Sequence, residues 1–312
     1  MSRLLFDTLI TGLPLVLTVL GIYVVFRLRS DFDLTIDASF TMGGSVLTVL
    51  VAHDLPAWPA LLVAMLAGGV MGLITTLLHL TLRIPVILAG LVMSIGFYSI
   101  ALRVLGRPSL SLAGYSNILD PARSVTGRTA ADLVTVGILA AVVLVVLAAV
   151  GILLRTEIGL ALRATGINPV MARSHGVNDR AMVALSLFLA NALAGLSGAL
   201  VVQNQRFVDV NMGVGTLIAG IGAVLLGDLL LRPAGSKVLR ILLAVLVGSL
   251  LYRFILVGAL RLGVPATDLK GVTALILVAA LIAERFLRPF LGSLNPRPLA
   301  LKRWMARAQP QK

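Results

Sequence analysis

Six polar side chains lie inside or at the start of stretches that are otherwise apolar, and their chemistry suits reversible contact with a small polar solute. They are Asp37, Ser39, Thr41, Ser94, Tyr98 and Asn191. Polar groups are costly inside apolar segments, so they mark solute pathways more often than chance would. The alternative, in which Asn, Ser and Thr satisfy one another between packed helices, is also common. Both interpretations are compatible with the sequence.

Three of these residues, Asp37, Ser39 and Thr41, stand at the start of a short apolar segment, 38–52. A helix that begins inside an apolar environment has unpaired backbone amides, and such amides favour anions. We therefore expect this helix end to face the carboxylate of a passing solute.

Enzyme chemistry finds little support in the sequence. The chain has no cysteine, and His53, His79 and His175 are scattered. No H-E-x-x-H or G-x-S-x-G motif is present. The chain also lacks G-x-x-x-x-G-K-[ST], so it cannot bind ATP through a Walker A loop. We expect no catalytic residue, metal site or cofactor in this chain.

The composition is that of a membrane protein. Of 312 residues, 59% are hydrophobic and 12% are charged, with a mean hydropathy of +1.04. Soluble domains carry about a quarter charged residues. The net charge of +13 resides in short connections and in the C-terminal tail. No basic recognition helix accompanies it, which argues against nucleic-acid binding.

Nine apolar segments predict an all-α, polytopic bundle of about 8–10 transmembrane helices. They cover residues 4–26, 38–52, 57–80, 84–102, 132–154, 181–202, 213–231, 238–258 and 271–287. We expect one transmembrane domain over residues 1–290 and a basic cytoplasmic tail over 291–312. The segment 38–52 is short enough to be a broken or re-entrant helix, which leaves the side of the N-terminus open.

The distribution of Lys and Arg predicts the orientation. If all nine segments span, one set of connections holds 17 basic residues and the other set holds 9. The positive-inside rule then places the C-terminus and the connection 155–180 in the cytoplasm.

That connection contains a polar, basic stretch, 157–180, whose sequence predicts two short helices. The first runs from Glu157 to Thr165, and Gly166 suits its termination. Asn168 and Pro169 fit a helix start, because Asn is a preferred cap and Pro is favoured at the first helical position.

The second short helix covers 170–174 and ends at Gly176, after which Asn178 or Asp179 caps the next apolar helix. Arg163, Arg173 and Arg180 lie in this loop beside apolar residues. The local structure favours a docking surface, although an ordinary structured cytoplasmic loop is the alternative.

The same loop resembles the coupling loop of permease subunits in ABC importers of the branched-chain amino acid and ribose type. The pattern G-x-A-L-R-A-T-G-x-N-P-x-M-A-R-S-x-G-x-N stands at Gly159 to Asn178. Ile167 replaces a common Asp of this family, and Asp228 replaces a common Glu after Gly227. The similarity extends from about residue 5 to 290.

Further stretches are similar to the tryptophan/tyrosine-type amino-acid subgroup of these permeases. They are D-L-T-I-D-A-S-F at 33–40, R-I-P-V-I-L-A-G at 83–90, Y-S-I-A-L-R at 98–103, L-S-G-A-L at 196–200, and Tyr252 with D-L-K at 268–270.

The resemblance implies a homodimeric permease in a bacterial inner membrane, in contact with the lipid bilayer. A separate ATPase subunit would bind ATP and dock on the loop, and a periplasmic or lipid-anchored binding protein would deliver an amino acid or related solute. The loop residues implied in coupling are Glu157, Gly159, Arg163, Gly166, Asn168, Pro169, Met171, Arg173, Gly176 and Asn178.

Two other functions remain as alternatives. A stand-alone secondary transporter would favour acidic residues in mid-helix, which are scarce here, and an intramembrane enzyme would need a clustered polar site.

A separate hypothesis concerns two charges near membrane depth: we expect Arg253 and Asp268 to form an ion pair.

Overall fold

The computed structural model describes residues 2–231 and 238–291. The helices are α1 (Ser2–Ile22), α2 (Thr35–Ala52), α3 (Ala57–Leu82), α4 (Val86–Leu105), α5 (Asp120–Arg123), α6 (Arg128–Arg155), α7 (Glu157–Ile167), α8 (Pro169–Ser174), α9 (Asp179–Gln205), α10 (Thr216–Leu231), α11 (Val238–Arg261) and α12 (Leu269–Leu291). α1 continues as a π-helical segment, Tyr23–Arg29. A 3-10 helix covers Ala266–Asp268, and the strands are β1 (Ser109–Ser111) and β2 (Phe207–Asp209).

The fold class is confirmed, since every one of the nine apolar segments lies on a helix. Within the described residues, seven helices are long and apolar enough to cross a membrane: α1 with its π-helical extension, α2, α3, α4, α6, α9 and α11. α10 is apolar but has only 16 residues. Apart from Leu291, the predicted tail 291–312 lies outside the described residues.

Helix α9 lies at the centre of the bundle, where α1, α2 and α3 pack against it. Small residues allow the close approach. A Cβ at Gly195 would lie 2.8 Å from the carbonyl oxygen of Ala64 and 3.1 Å from the Cα of Gly68 in α3. On the other side of α9, a Cβ at Gly43 would overlap the Gly195 carbonyl group. Glycine at these positions lets the backbones pack without intervening side chains.

Helix α1 runs antiparallel to α9, which defines the two ends of the bundle. Ser197 Oγ donates to the carbonyl oxygen of Pro14 at 2.7 Å. Arg29 Nη1, at the end of the π-helical segment, lies 3.4 Å from Asp179 Oδ1 at the start of α9. We call the end that carries α7, α8 and Asp179 the loop end, and the opposite end the far end. The N-terminus is at the far end, as nine alternating spans predict.

Helix α2 starts at mid-depth and continues to the far end. Just before it, the Asp33 carboxylate accepts a 2.6 Å hydrogen bond from Asn191 Nδ2, near the middle of α9. α2 then runs parallel to α9, so that Gly44 comes beside the Val202 side chain. The helix therefore does not turn back to the loop end, as a re-entrant segment would.

Helix α10 takes the complementary course, from mid-depth to the loop end. The backbone amide of Leu217 in its first turn contacts Asp37 of α2. Asp228 in its last turn lies 2.7 Å from Arg27 of the π-helical segment. Two helices, α2 and α10, thus start inside the bundle, where protein and not lipid surrounds their first turns.

The far end carries a small cap of irregular chain and two strands. β1 and β2 pair antiparallel, with Leu110 opposite Val208. Asn117 Nδ2 donates to the carbonyl oxygen of Gln203 at 2.7 Å, and the Gln203 side-chain oxygen accepts from the Ile118 amide at 3.1 Å. The cap is therefore tied to the buried end of α9.

The predicted ion pair between Arg253 and Asp268 is wrong. Arg253 Nε instead donates to Thr11 Oγ1 at 2.8 Å. Within the described chain, Asp268 Oδ1 accepts a hydrogen bond from Thr267 at 3.2 Å. The reason is the packing of α11 on α1, where Gly12 leaves room for the stem of the Arg253 side chain.

Candidate translocation cavity and coupling loop

The predicted coupling loop folds as two short helices with capped starts. Gly159 N lies 3.4 Å from Thr156 Oγ1, which precedes α7. Asn168 Oδ1 accepts from the amides of Val170 and Met171, both at 3.1 Å, at the start of α8. The predicted cap at Asn168, followed by Pro169 in the first position of α8, is therefore confirmed.

The end of α8 and the start of α9 also agree with the prediction from sequence. Gly176 has a φ of +81°, a backbone conformation that glycine adopts without strain. Asn178 Oδ1 accepts from the Ala181 amide at 3.2 Å and so caps α9. The starts of α8 and α9 are thus capped by side chains of the loop itself.

Gly166 does not end α7 as predicted. The helix continues to Ile167, and Asn168 leaves it in an extended conformation. A Cβ at Gly166 would overlap the carbonyl group of Leu28 and lie 3.0 Å from the Cα of Arg29. The residue is glycine because α7 packs directly on the backbone of the π-helical segment. Gly159 has a similar function, since a Cβ there would overlap the last turn of α6.

Of the predicted coupling arginines, Arg163 forms its side-chain hydrogen bonds with backbone carbonyl groups of α6 and α7. Its Nε donates to the carbonyl oxygen of Gly159 at 3.2 Å, and its Nη2 donates to that of Leu154 at 3.1 Å. The side chain thus binds a carbonyl group near the end of α6 and positions α7. Arg173 is different, because its side chain is 57% exposed and lies 3.8 Å from Asp179. Glu157 is exposed in the first turn of α7.

An apolar surface lies at the junction of α7 and α8. Ile167 is 67% exposed, Val170 65% and Met171 59%. We call these three residues the docking surface. They project from a segment that is fixed by caps and by the contact between Gly166 and Leu28, so the exposure belongs to an ordered element.

Ion pairs connect the π-helical segment to two neighbouring helices at the loop end. Arg29 lies 3.2 Å from Asp31 and 3.4 Å from Asp179 of α9. Arg27 Nε lies 2.7 Å from Asp228 Oδ2 of α10, with side-chain exposures of 18% and 5%. Sequence reasoning missed the Arg27–Asp228 pair, because 201 positions separate the two residues and neither belongs to a local motif.

A cavity of about 190 Å³ lies between α2, α4 and the chain that leads into α10. The residues that line it are Leu34, Asp37, Ala38, Thr41, Leu91, Ser94, Phe97, Tyr98, Ala101, Val210 and Val214. Four of the six predicted pathway residues, Asp37, Thr41, Ser94 and Tyr98, are among them.

The structure modifies the predicted use of the helix ends beside this cavity. Asp37 Oδ2 accepts from the Gly215 amide at 3.0 Å, and Asp37 Oδ1 accepts from the Leu217 amide at 2.7 Å. The amides at the start of α10 are therefore paired with a carboxylate of this chain. At the start of α2, Asp33 Oδ1 accepts from the Thr35 amide at 2.8 Å. These helix ends do not present the same amides to a solute carboxylate.

The other two predicted pathway residues, Ser39 and Asn191, lie behind the cavity in a buried cluster. Ser39 Oγ donates to Asn191 Oδ1 at 2.7 Å, and Asn191 Nδ2 donates to Asp33 Oδ2 at 2.6 Å. Both Ser39 and Asn191 are 0% exposed. Their polar groups satisfy one another between packed helices, which is the alternative that the sequence left open.

A bundle of membrane-length helices, with a small polar-edged cavity between α2 and α4 and a capped loop at one end, is the arrangement expected of a membrane transport component. Comparison with known proteins agrees with this class. Residues 4–282 match the family described as branched-chain amino acid transport system / permease component, and the chain belongs to that family. It is thus an ABC-type permease of the branched-chain amino acid and ribose superfamily.

Similar proteins cover nearly the whole chain. The chain is 29% identical over 300 residues to the tyrosine transport system permease protein of Clostridioides difficile (strain R20291), covering 96% of this chain and 94% of that protein. It is 29% identical over 271 residues to the uncharacterized protein RP368 of Rickettsia prowazekii (strain Madrid E), covering 86% and 92%. It is 25% identical over 286 residues to the galactofuranose transporter permease protein YtfT of Escherichia coli (strain K12), covering 89% and 78%. No solved structure matches significantly.

Proposed function

We propose that this permease imports a small solute, an amino acid or a related compound, with energy from ATP that a separate subunit binds and hydrolyses while docked on α7 and α8. The observation that carries the proposal is the docking surface, Ile167, Val170 and Met171. Apolar side chains exposed together on an ordered element mark contacts with another protein or with a membrane, and we assign these three to a protein because α7 and α8 lie outside the candidate membrane spans. If transport is driven by ATP, a partner must bind it through a Walker A loop, because this chain has no such motif.

The contacts around the loop support transmission of force into the bundle. α7 packs through Gly166 on the π-helical segment, and Arg27 of that segment pairs with Asp228 of α10. The other end of α10 is held by Asp37 at the cavity. A displacement of α7 therefore acts on a helix whose first turn is hydrogen-bonded to Asp37, a residue of the cavity wall.

The loop end would face the cytoplasm and the far end would face the binding protein. The support for this orientation is the excess of Lys and Arg in the connections at the loop end. Exposed apolar side chains, such as Leu62 of α3 and Val145 of α6, would contact the lipid bilayer of the bacterial inner membrane. We further propose a homodimer with the pathway near its axis.

The cavity is the proposed section of the pathway within each subunit. Its volume suits a small solute, and its wall combines apolar side chains with Thr41, Ser94, Tyr98 and Asp37. The relative that is named for tyrosine transport supports a solute of the amino-acid class.

Uptake into proteoliposomes separates this proposal from a stand-alone secondary transporter. The permease would be reconstituted with the ATPase and the binding protein of its transport system, with ATP present and all ion gradients collapsed. We expect uptake that depends on ATP and on both partners. Uptake by the permease alone, driven by a proton or sodium gradient, would instead establish the secondary transporter.

A further inference from the structure

Among the described residues that line the cavity beside α2 and α4, Asp37 is the one acidic residue. Among the described residues that line it, seven are apolar, three carry a hydroxyl group, and none is Lys, Arg or His. The wall therefore has no positive side chain that could pair with an anionic group of a solute.

The backbone does not compensate for this lack at the start of α10. Anions bind at helix starts through free amides. Here the amides of Gly215 and Leu217 already donate to Asp37, at 3.0 and 2.7 Å. The carboxylate thus neutralises the positive end of the α10 dipole from within the chain.

The same contacts prepare Asp37 to accept further donors. Two amides and the dipole of α10 favour the ionised form of this carboxylate and so offset part of the effect of its burial, which favours the neutral form. An ionised carboxylate has about four acceptor positions, and the two amides occupy two of them. A donor that enters the cavity can therefore reach a carboxylate oxygen whose position is fixed by the two amides.

A second carboxylate lies behind the first. Asp33 is 1% exposed and accepts hydrogen bonds from Asn191 and from the Thr35 amide. Asp33 does not line the cavity, so the selectivity rests on Asp37: a carboxylate with no basic residue among the described lining residues favours a cation and disfavours an anion.

We infer that the cavity selects small solutes that carry an ammonium group, and that Asp37 is the residue that binds this group while the apolar wall contacts the rest of the solute. The inference rests on the proposed function, because it assigns a specificity residue to the proposed pathway. It reverses the expectation from sequence, in which a helix end would face the carboxylate of the solute.

Two probes of the same shape and opposite charge test the inference directly. Phenethylamine and hydrocinnamate share a phenyl ring on a short chain and differ in whether the chain ends in an ammonium or a carboxylate group. Binding of each to the purified full-length permease in detergent would be measured by equilibrium dialysis. We expect phenethylamine to bind with an affinity roughly tenfold or more above that of hydrocinnamate.

The variant Asp37→Asn removes the charge and keeps an oxygen that can accept from the α10 amides. The matched control is Asp54→Asn, which removes a carboxylate from an exposed turn with a φ of +63°, where Asn is tolerated. We expect Asp37→Asn to abolish the preference for phenethylamine and Asp54→Asn to retain it.

Equal binding of the two probes to the native permease, stronger binding of hydrocinnamate, or no binding of phenethylamine at millimolar concentration would each overturn the inference. So would an undiminished preference in a folded Asp37→Asn protein. The comparison of the two probes uses the native permease alone. It therefore still tests the inference if Asp37→Asn fails to fold. Failure of an ATPase to dock would overturn the proposed function and would leave the probe comparison unchanged.

Discussion

The guanidinium group of Arg27 lies 2.7 Å from the carboxylate of Asp228, and this contact joins the π-helical segment under the coupling loop to the end of α10. Because α10 begins at the cavity, the pair connects the loop end with mid-depth of the bundle. Both side chains are largely buried, with exposures of 18% and 5%. The pair thus links α10 to the π-helical segment on which α7 packs.

Removing one partner of this pair should destabilise the permease strongly. A buried charge that loses its partner costs about 3–5 kcal/mol, whereas a neutral pair of similar volume is tolerated better. We expect Asp228→Leu to lower the thermal unfolding temperature in detergent more than the double variant Arg27→Met with Asp228→Leu. The exposed pair Arg261–Asp7 is the control, and breaking it should cost less than about 1 kcal/mol. Additive losses in the double variant would contradict a direct Arg27–Asp228 interaction.

A methyl group at Gly166 should separate α7 from the π-helical segment. Gly166→Ala introduces a Cβ that overlaps the Leu28 carbonyl group, and overpacking of this kind costs typically 1–3 kcal/mol. We expect a lower unfolding temperature and weaker stimulation of the partner ATPase by substrate. Gly96→Ala is the matched control, because no heavy atom outside its own helix lies within 4 Å of a Cβ there. Equal behaviour of the two variants would show that the close packing of α7 is unimportant.

The cap at Asn168 should maintain the order of α8. Asn168→Ala leaves the amides of Val170 and Met171 without their side-chain acceptor, and loss of such a cap costs typically about 1 kcal/mol. We expect faster hydrogen exchange at these two amides, measured by mass spectrometry of loop peptides. Asn168→Asp keeps an acceptor oxygen and should preserve slow exchange. If both variants exchange at the native rate, the cap does not order the loop.

The buried cluster of Asn191, Ser39 and Asp33 should be structural. Asn191→Leu removes the donor to Asp33 and the acceptor of Ser39, and each buried polar group left unsatisfied costs about 1–3 kcal/mol. We expect a large drop in unfolding temperature. The companion variant Ser94→Ala, at the cavity wall, removes one hydrogen bond to the Leu34 carbonyl oxygen, so it should lower the unfolding temperature less than Asn191→Leu and change transport kinetics. A stable Asn191→Leu protein with altered solute selectivity would place Asn191 in the pathway instead.

Much of the fold could be predicted from the sequence, because apolar length alone identifies helices that must satisfy their backbone groups internally. The helix caps could be predicted as well, since Asn168, Gly176 and Asn178 act within a few residues of their own positions. Gly166 is a position whose structural role could not be predicted from the neighbouring sequence. Glycine permits both a helix terminus and a close approach of two backbones, and only the position of Leu28 decides between them.

The candidate site was partly predicted for a related reason. Polar residues in apolar segments were recognised, but their partners lie far away in the chain. Asp37 binds the amide of Gly215, 178 positions later, and Asn191 binds Asp33, 158 positions earlier. No local pattern encodes such pairs, so the sequence could not separate the residues of the cavity wall from those of the buried cluster.

Copurification of the partner ATPase tests the central claim, that the docking surface receives the energy-supplying subunit. The double variant Val170→Asp with Met171→Asp introduces charges at two exposed apolar side chains, and Leu262→Asp is a control at the far end, where Leu262 is 88% exposed. Apolar anchors of an interface contribute about 2 kcal/mol or more each. We predict that the ATPase remains bound to the native permease and to Leu262→Asp but is lost from the folded double variant. Retention of the ATPase by the folded double variant, with normal ATP-driven uptake, would contradict the account.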